Sequence, residues 1–578
     1  VSVRKNERVP QLRIALAQLN PTVGDLTGNA DLIVDAVRQA AAAGAHVVVC
    51  SEMALTGYPV EDLALRQTFT SAARQALTDL AARLDAEGTG DVLTVVGYLD
   101  DQDGPRNAAG ALWRGEVVAR QFKHHLPNYG VFDERRWFKS GDELTVLRFH
   151  GVDIGMVICE DLWQDGGPIA ALGEAGVDVI VSPNASPYER NKDDVRIELA
   201  GRRAAEAGAP LVYCNQVGGQ DDLVFDGGSF IVDPSGTALA TAEQFVSKVL
   251  VADLELTAGT GHRSGTFAGV NVQRKVLMDE PLPAYEKITN PQVQPLSDEA
   301  EVWSALVLGL RDYVRKNGFS SVILGFSGGI DSAVCAALAV DALGPENVHG
   351  VSMPSKYSSE HSRTDAEELA KRLGCPFRVQ PIADMVHTYV DQLGLEGLAE
   401  ENVQARVRGV LLMALSNSEG HLVLATGNKT EIAVGYSTIY GDAVGAFAPI
   451  KDVFKTHVWQ LARWRNAEAE RRGEVPPIPE NSITKPPSAE LRPGQLDTDS
   501  LPDYALLDDI LDDYVEGDRG YADLVAAGFD PDVIDRVVRM VDIAEYKRRQ
   551  YPPGTKITFK AFGRDRRLPI TNRWREHH

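Results

Sequence analysis

Cys159, Glu52 and Lys123 carry side chains with complementary chemistry, and each follows directly on an apolar run. Cys159 comes at the end of "VDIGMVIC", Glu52 just after "HVVVC", and Lys123 just after "GEVVARQF". A thiol attacks carbon as its thiolate, so it needs a base to take the proton. A carboxylate can be that base. An ammonium can favour the thiolate and hold the negative charge that develops on a carbonyl oxygen. A free cysteine alone is an ordinary core residue, and Cys50, Cys214, Cys335 and Cys375 are read that way. Cys159 differs because a strand end running straight into Glu160 and Asp161 is where a sharp turn exposes a nucleophile.

A second group lies in "GFSGGIDS": Gly325, Phe326, Ser327, Gly328, Gly329, Ile330, Asp331 and Ser332. The small residues Ser327, Gly328 and Gly329 let backbone N–H groups approach phosphate oxygens at a helix N-terminus. An ordinary P-loop carries Lys followed by Ser or Thr at its end, whereas this stretch carries Ile330-Asp331-Ser332. An aspartate repels phosphate unless a divalent cation stands between them, so Asp331 points to Mg²⁺.

The elements that must place these groups fall into two halves. In the first, "LRIALAQL" (12–19), "HVVVC", "DVLTVVGYL" (91–99), "VDIGMVI", "VDVIVSP" and "PLVYC" read as strands. Helices are expected over "NADLIVDAVRQAAAAG" and around 196–207, and hairpins turn at Arg114-Gly115 and at Pro234-Ser-Gly236. This mixture predicts a layered α+β sandwich, and three strand ends can converge on one edge of a layered sheet. From 274 to 297 several prolines and no periodicity indicate a linker. Beyond it an amphipathic helix opens at Ser297, and strands "SVILGF", "NVHGVSM", "FRVQPI" and "HLVLATG" alternate with helices over 331–343 and 360–373. Repeated strand–loop–helix units predict a doubly wound parallel sheet. The Pro-rich stretch 474–502 reads as an ordered or ligand-gated loop, and "LLDDILDDYVEGD" as helical.

The composition bounds the partners. The chain has 578 residues, 44% hydrophobic and 24% charged, which fits several soluble globular domains. A net charge of −24 argues against general nucleic-acid binding, which needs clustered Lys and Arg. Five scattered cysteines without paired spacing fit a reducing compartment rather than a disulfide framework or a zinc site. No apolar run is long enough to span a membrane, and "VSVRKNERVPQLRIALAQ" lacks the apolar stretch of a signal peptide, so a cytoplasmic location is expected. The twelve histidines, including His124-His125 and His577-His578, show no ligand spacing.

The contexts of Glu52, Lys123 and Cys159, with "ICEDLW" and "KHHLPNYGVFDE", resemble the nitrilase superfamily over roughly 11–270. The resemblance implies an α-β-β-α sandwich with Glu52 as general base, Lys123 as oxyanion stabiliser, Cys159 as nucleophile and Glu134 in support. Such sites cleave carbon–nitrogen bonds in nitriles, carbamyl groups and amides, and the residues alone do not choose among them. "SGGIDS" resembles the pyrophosphate loop of N-type ATP pyrophosphatases, which split ATP between its α- and β-phosphates. The stretches "TGNKTEIAVGYSTIYGDAVGAFAPIKDVFKTHV" (426–458), "ENVQARVR" and "KITFKAFGRDRRLPITNRW" are similar to NAD synthetases. The Rossmann-like domain over 298–578 then resembles the adenine nucleotide alpha hydrolases, with the nitrilase-like domain over 1–273.

Together the halves resemble the family of glutamine-dependent NAD⁺ synthetases. That resemblance implies a ligase of small-molecule substrates (glutamine, ATP and deamido-NAD⁺), Mg²⁺ as cofactor, sheltered transfer of ammonia between sites, and a homo-oligomer built on a synthetase-domain dimer. It places glutamine near Tyr129, Phe132, Glu160, Ser186 and Lys192. The ATP contacts are the 325–332 loop, Thr426 and Lys455. Asn402, Glu431, Asp442 and Lys560 fall to the dinucleotide, with Asp331 and Glu431 as metal ligands. Two rivals remain: an amidotransferase with another carboxyl or carbonyl acceptor, and a nitrilase-like scaffold whose first half only binds or assembles while free ammonia feeds the second.

Overall fold

The computed structural model describes residues 11–256, 264–492 and 494–574; His577 and His578 lie outside the described residues. The chain forms two compact units: one runs to Pro295 except for Asp221–Val224, which group with the second unit from Leu296 onward.

The first unit is built on two sheets. One has six strands in the order Lys248–Glu255, Gln11–Gln18, Val47–Cys50, Leu93–Asp100, Arg106–Trp113 and Glu116–Phe122. The other has eight, with Leu211–Asn215, Val179–Asn184, Val152–Met156, Glu143–Phe149 and Val270–Met278 adjacent in that order. Side chains alternate along a strand, so each strand can serve two layers. Leu12, Ile14 and Leu16 meet Ile154, Met156, Val181 and Val212 between the sheets. Ala15 and Ala17 face outward to Ile33 and Val37 of the helix Leu26–Ala42 and Leu77 and Leu80 of Gln67–Ala86. On the opposite outer face, Ile180, Leu211 and Tyr213 pack against Leu172 of Gly167–Ala175 and Leu199 of Lys192–Ala207. The result is the expected α-β-β-α sandwich, and both expected hairpins form.

Two expectations are corrected. The stretch read as linker from 274 begins inside the strand Val270–Met278, which pairs in parallel with Glu143–Phe149. Its outer residues Gln273, Lys275 and Val276 are exposed or part-exposed, so the strand lacks the apolar alternation that would have announced it. The three strand ends also do not share one sheet edge. Glu52 and Lys123 follow strands of the six-stranded sheet, and Cys159 follows a strand of the eight-stranded one. The chemistry therefore sits between two layers.

The second unit holds a four-stranded parallel sheet ordered Phe377–Val379, Val348–Ser352, Val322–Gly325 and Leu422–Val423. Ile323, Val351 and Val423 pack with Leu412 of the helix Leu398–Glu419, while Ile330–Leu343 lies against the first two strands of this fold in chain order. "HLVLATG" contributes only two strand residues, and 474–502 contains a short helix, Glu480–Thr484. The acidic stretch is the helix Tyr504–Leu511 continued by a π-helical turn, Asp512–Glu516. Among the described residues no helix is long and apolar enough to cross a membrane.

Candidate functional site

Cys159 opens a single 3-10 turn, Cys159–Leu162, with a φ of 43°. A left-handed conformation is unfavourable for a residue with a Cβ and persists where the surroundings hold it. Asp161 does the holding. Its Oδ2 accepts the Ile158 N–H at 3.0 Å, and its Oδ1 accepts the N–H groups of His124 and His125 at 3.1 and 2.8 Å. One buried carboxylate thus fixes the elbow to the loop that starts at Lys123. Burial pushes this carboxyl up to about 6 against those N–H donors.

Glu52, Lys123 and Glu134 are each 1% exposed. The Lys123 ammonium donates to Glu52 Oε1 at 2.7 Å and to Glu134 Oε1 at 2.9 Å. Burial pulls the ammonium down, but the charges of Glu134 and Glu52 outweigh it and hold it well above the ordinary lysine range. Asn107 Nδ2 donates to the same Glu52 oxygen at 2.6 Å, and the Ala185 N–H donates to Oε2 at 2.9 Å. Tyr58 donates to Glu134 Oε1 at 2.8 Å. Burial, with the Glu52 charge adding and Lys123 opposing, raises the Glu134 carboxyl.

The Cys159 thiol is pushed well up, first by burial and next by Glu52, with Lys123 opposing. At rest this group is therefore a neutral thiol, which would have to lose its proton to act as a nucleophile. A pH dependence follows. Alkylation of Cys159 by iodoacetamide, followed on its own peptide by mass spectrometry, rises about tenfold per pH unit through neutrality. A plateau below neutral pH would mean a thiolate at rest.

Of the residues expected around glutamine, three come together beside this thiol. Glu160 is buried next to it in the chain and accepts from Tyr129 OH at 2.9 Å and Gln164 Nε2 at 2.7 Å. The Tyr129 ring meets Phe132 edge-on at 5.5 Å. Ser186 follows Ala185, with its N–H on Asn215 Oδ1 at 2.9 Å. Lys192 lies 3.4 Å from Glu189 and 5.9 Å from the centre of the Trp163 ring.

In the second unit, Gly328 has a φ of 78°, and a Cβ there would sit 2.5 Å from the Ser362 carbonyl oxygen, so glycine is required. Ser327 and Ser332 close the loop with their hydroxyls 3.0 Å apart. Asp331, in the first turn of its helix, ion-pairs with Lys455 and accepts from Asn428 Nδ2 at 2.9 Å. Lys455 also lies 3.4 Å from Glu431. Burial, and then the charge of Asp331, push the Glu431 carboxyl up to about 8 against Lys455. Two carboxylates from separate helices thus converge on one cation. Among the described residues no set of three or more His, Cys, Asp or Glu is placed to hold a metal. A pair of carboxylates nevertheless suits Mg²⁺, which completes its shell with water and substrate phosphate.

A cavity of about 320 Å³ opens here, lined by every residue of the 325–332 loop except Gly328 and by Thr426, Glu431, Asp442 and Lys455. Asn402 is not on its wall; it accepts from Thr438 Oγ1 at 2.8 Å, and the Thr438 N–H donates to Asp442 Oδ1 at 2.6 Å. Burial pushes the Asp442 carboxyl up to about 6. Lys560 is also off the wall: its ammonium pairs with Asp518, and its carbonyl accepts from the buried Lys429 at 3.0 Å.

Sequence reasoning missed Tyr58, Asn107, Asp161 and Arg196 in the first unit, and Arg408 and Lys485, which line the cavity, in the second. Arg408 had a local signal, since "ENVQARVRGVLL" (401–412) places Ala405, Arg408 and Leu412 on one helical face.

Comparison with known proteins divides the chain in the same way. A carbon-nitrogen hydrolase family model matches residues 13–261, and an NAD synthase model matches 302–551. The glutamine-dependent NAD(+) synthetase of Thermotoga maritima is 44% identical over 98% of this chain and 99% of its own. That of Rhodobacter capsulatus is also 44% identical, over 98% and 99%. Among solved structures, the glutamine-dependent NAD⁺ synthetase from Acinetobacter baumannii in complex with adenosine diphosphate is 38% identical. It superposes with a TM-score of 0.72 over 98% of this chain and all of that one. The Cytophaga hutchinsonii protein, 22% identical with a TM-score of 0.78 over 97% and 98%, shares the fold.

Proposed function

The chain belongs to the glutamine-dependent NAD(+) synthetases, and from that premise we propose how its residues divide the work. It is a ligase that makes NAD⁺ with nitrogen taken from glutamine and with ATP as co-substrate. The acceptor in this reading is deamido-NAD⁺. The observation that carries the first half is the buried Glu52–Lys123–Glu134 cluster beside the elbow of Cys159.

Cys159 Sγ attacks the side-chain carbonyl carbon of glutamine while its proton passes to Glu52. Lys123 faces the negative charge that forms on the oxygen. The carbon–nitrogen bond breaks as Glu52 returns the proton to nitrogen, and ammonia leaves a glutamyl thioester. Water then attacks the thioester, gives a proton to Glu52, and releases glutamate and the thiol. Glu160 and Tyr129 hold the α-amino end of glutamine, with Ser186 and Lys192 toward its carboxylate.

In the second unit the nicotinate carboxylate attacks the α-phosphorus of ATP, and pyrophosphate leaves. Ammonia attacks the resulting acyl adenylate, and AMP leaves as the amide forms. Ser327, Ser332 and the glycine backbone receive the phosphates at the helix N-terminus. Lys455 lies with them as a point charge, Thr426 meets the nucleotide, and Asn402, Asp442 and Lys560 are assigned to the dinucleotide. Asp331 and Glu431 would hold Mg²⁺, which supplies charge neutralisation on the departing pyrophosphate. Ammonia protonated in bulk water is no longer a nucleophile, so its transfer must be sheltered.

The reading includes a homo-oligomer. The helix Ala383–Leu393 exposes Met385, Tyr389 and Leu393 at four-residue steps, and Leu398–Glu419 exposes Val410 and Met413, an apolar face suited to a second copy. Sedimentation of a species of single-chain mass alone would contradict it.

The activity assay separates this function from its enzyme rival. Glutamine, Mg·ATP and deamido-NAD⁺ yield NAD⁺ with AMP and pyrophosphate, and omission of deamido-NAD⁺ abolishes the amide product. ADP and phosphate as the nucleotide products, or no NAD⁺ under any condition, would overturn it.

A further inference from the structure

We propose that Arg196, paired with Asp226, is a positioning residue for glutamine hydrolysis: it holds the 185–187 loop so that Ala185 meets Glu52 and Ser186 meets the substrate. This rests on the reading of Cys159 as the glutamine-attacking thiol.

The loop leaves the strand Val179–Asn184 and has no regular structure of its own. Its front carries the Ala185 N–H, 2.9 Å from the general base. Its back turns two carbonyls and a hydroxyl toward the helix Lys192–Ala207, where Arg196 collects all three. Nη2 donates to the carbonyls of Ser186 and Pro187 at 2.9 and 2.8 Å, and Nε donates to Ser186 Oγ at 3.2 Å. Nη1 lies 2.8 and 2.7 Å from the two oxygens of Asp226.

Arg196 is 3% exposed and Asp226 1%. With all three guanidinium nitrogens engaged inside the protein, Arg196 has no donor to offer a substrate. A buried ion pair is also a poor source of stability compared with apolar side chains of the same volume. What the planar fork supplies, and a lysine could not, is a fixed relation among four acceptors. Asn215 braces the same loop from a second side, accepting the Ser186 N–H and donating to the Gly227 carbonyl at 3.0 Å. The geometry therefore transmits from a buried pair to both the base and the binding face of the site.

The test is Arg196→Lys in the full-length enzyme, assayed with glutamine and with ammonia as nitrogen donor. A shift of the loop by a fraction of an ångström raises the glutamine KM about tenfold and lowers the glutamine-driven kcat about tenfold. Ammonia-driven NAD⁺ synthesis stays within about twofold. A purely structural role would reduce the amount of active enzyme and leave KM unmoved, so an unchanged glutamine KM, or equal losses with both donors, overturns the proposal. A second variant, Arg196→Met with Asp226→Leu, removes both buried charges together. It keeps a melting temperature near that of the parent yet shows the same glutamine defect; parental glutamine kinetics in this variant would also refute the role. Cys159→Ala run in parallel keeps the two readings apart, because only failure of the glutaminase assignment leaves that variant active with glutamine.

Discussion

Cys159→Ala loses NAD⁺ formation from glutamine by a factor on the order of 10⁴ or more, while formation from ammonia stays within about twofold. The split follows from the structure. Cys159 lies in the first unit among the charges of Glu52, Lys123 and Glu134, and the cavity proposed to take ATP is built wholly from residues of the second. Removing the sulfur removes the one atom that can form the thioester and leaves the buried Glu52–Lys123 pair intact. Parallel assays with the two nitrogen donors read it directly. Equal loss with both would break the division of labour, and no loss with either would make Cys159 a bystander, as the scaffold rival requires.

Asp331→Asn gives the opposite pattern. NAD⁺ formation falls on the order of 10²- to 10³-fold with either donor, because the side chain that anchors Lys455, and that the proposed mechanism sets against the pyrophosphate, loses its charge. Glutamate release by the first unit continues at a measurable rate. The substitution preserves shape and leaves Lys455 its 3.4 Å neighbour Glu431, so the fold has no uncompensated cation. Synthesis within a few-fold of the parent would exclude Asp331 from the reaction.

Much of this was readable in the chain. Glu52, Lys123 and Cys159 stand at the ends of apolar strands, so local pattern and residue type were enough to single them out. Small residues with an aspartate in place of lysine singled out the 325–332 loop, and Gly328 proves to be there for a left-handed turn against Ser362. The groups that orient the nucleophile were not readable. Asn107 reaches Glu52 because Arg106–Trp113 pairs with Leu93–Asp100 in a register that no local pattern fixes. Asp161 accepts from backbone N–H groups 36 and 37 residues away and Arg196 donates to backbone carbonyls nine and ten residues away, and backbone groups carry no sequence signature. The strand Val270–Met278 hid for a different reason: Gln273, Arg274 and Lys275 interrupt its apolar alternation. Thr426, Glu431, Asp442 and Lys455 meet at one cavity, whereas Asn402 stands behind Thr438 and Lys560 pairs with Asp518.

In the proposed mechanism, the nitrogen released at Cys159 is the nitrogen that enters NAD⁺. Glutamine isotopically labelled at its amide nitrogen, supplied with ATP, Mg²⁺, deamido-NAD⁺ and an excess of unlabelled ammonium, tests it in one mass spectrum. The NAD⁺ formed carries the label well above its share of the total ammonia and appears in step with glutamate. Label diluted to the composition of the bulk ammonia would contradict it.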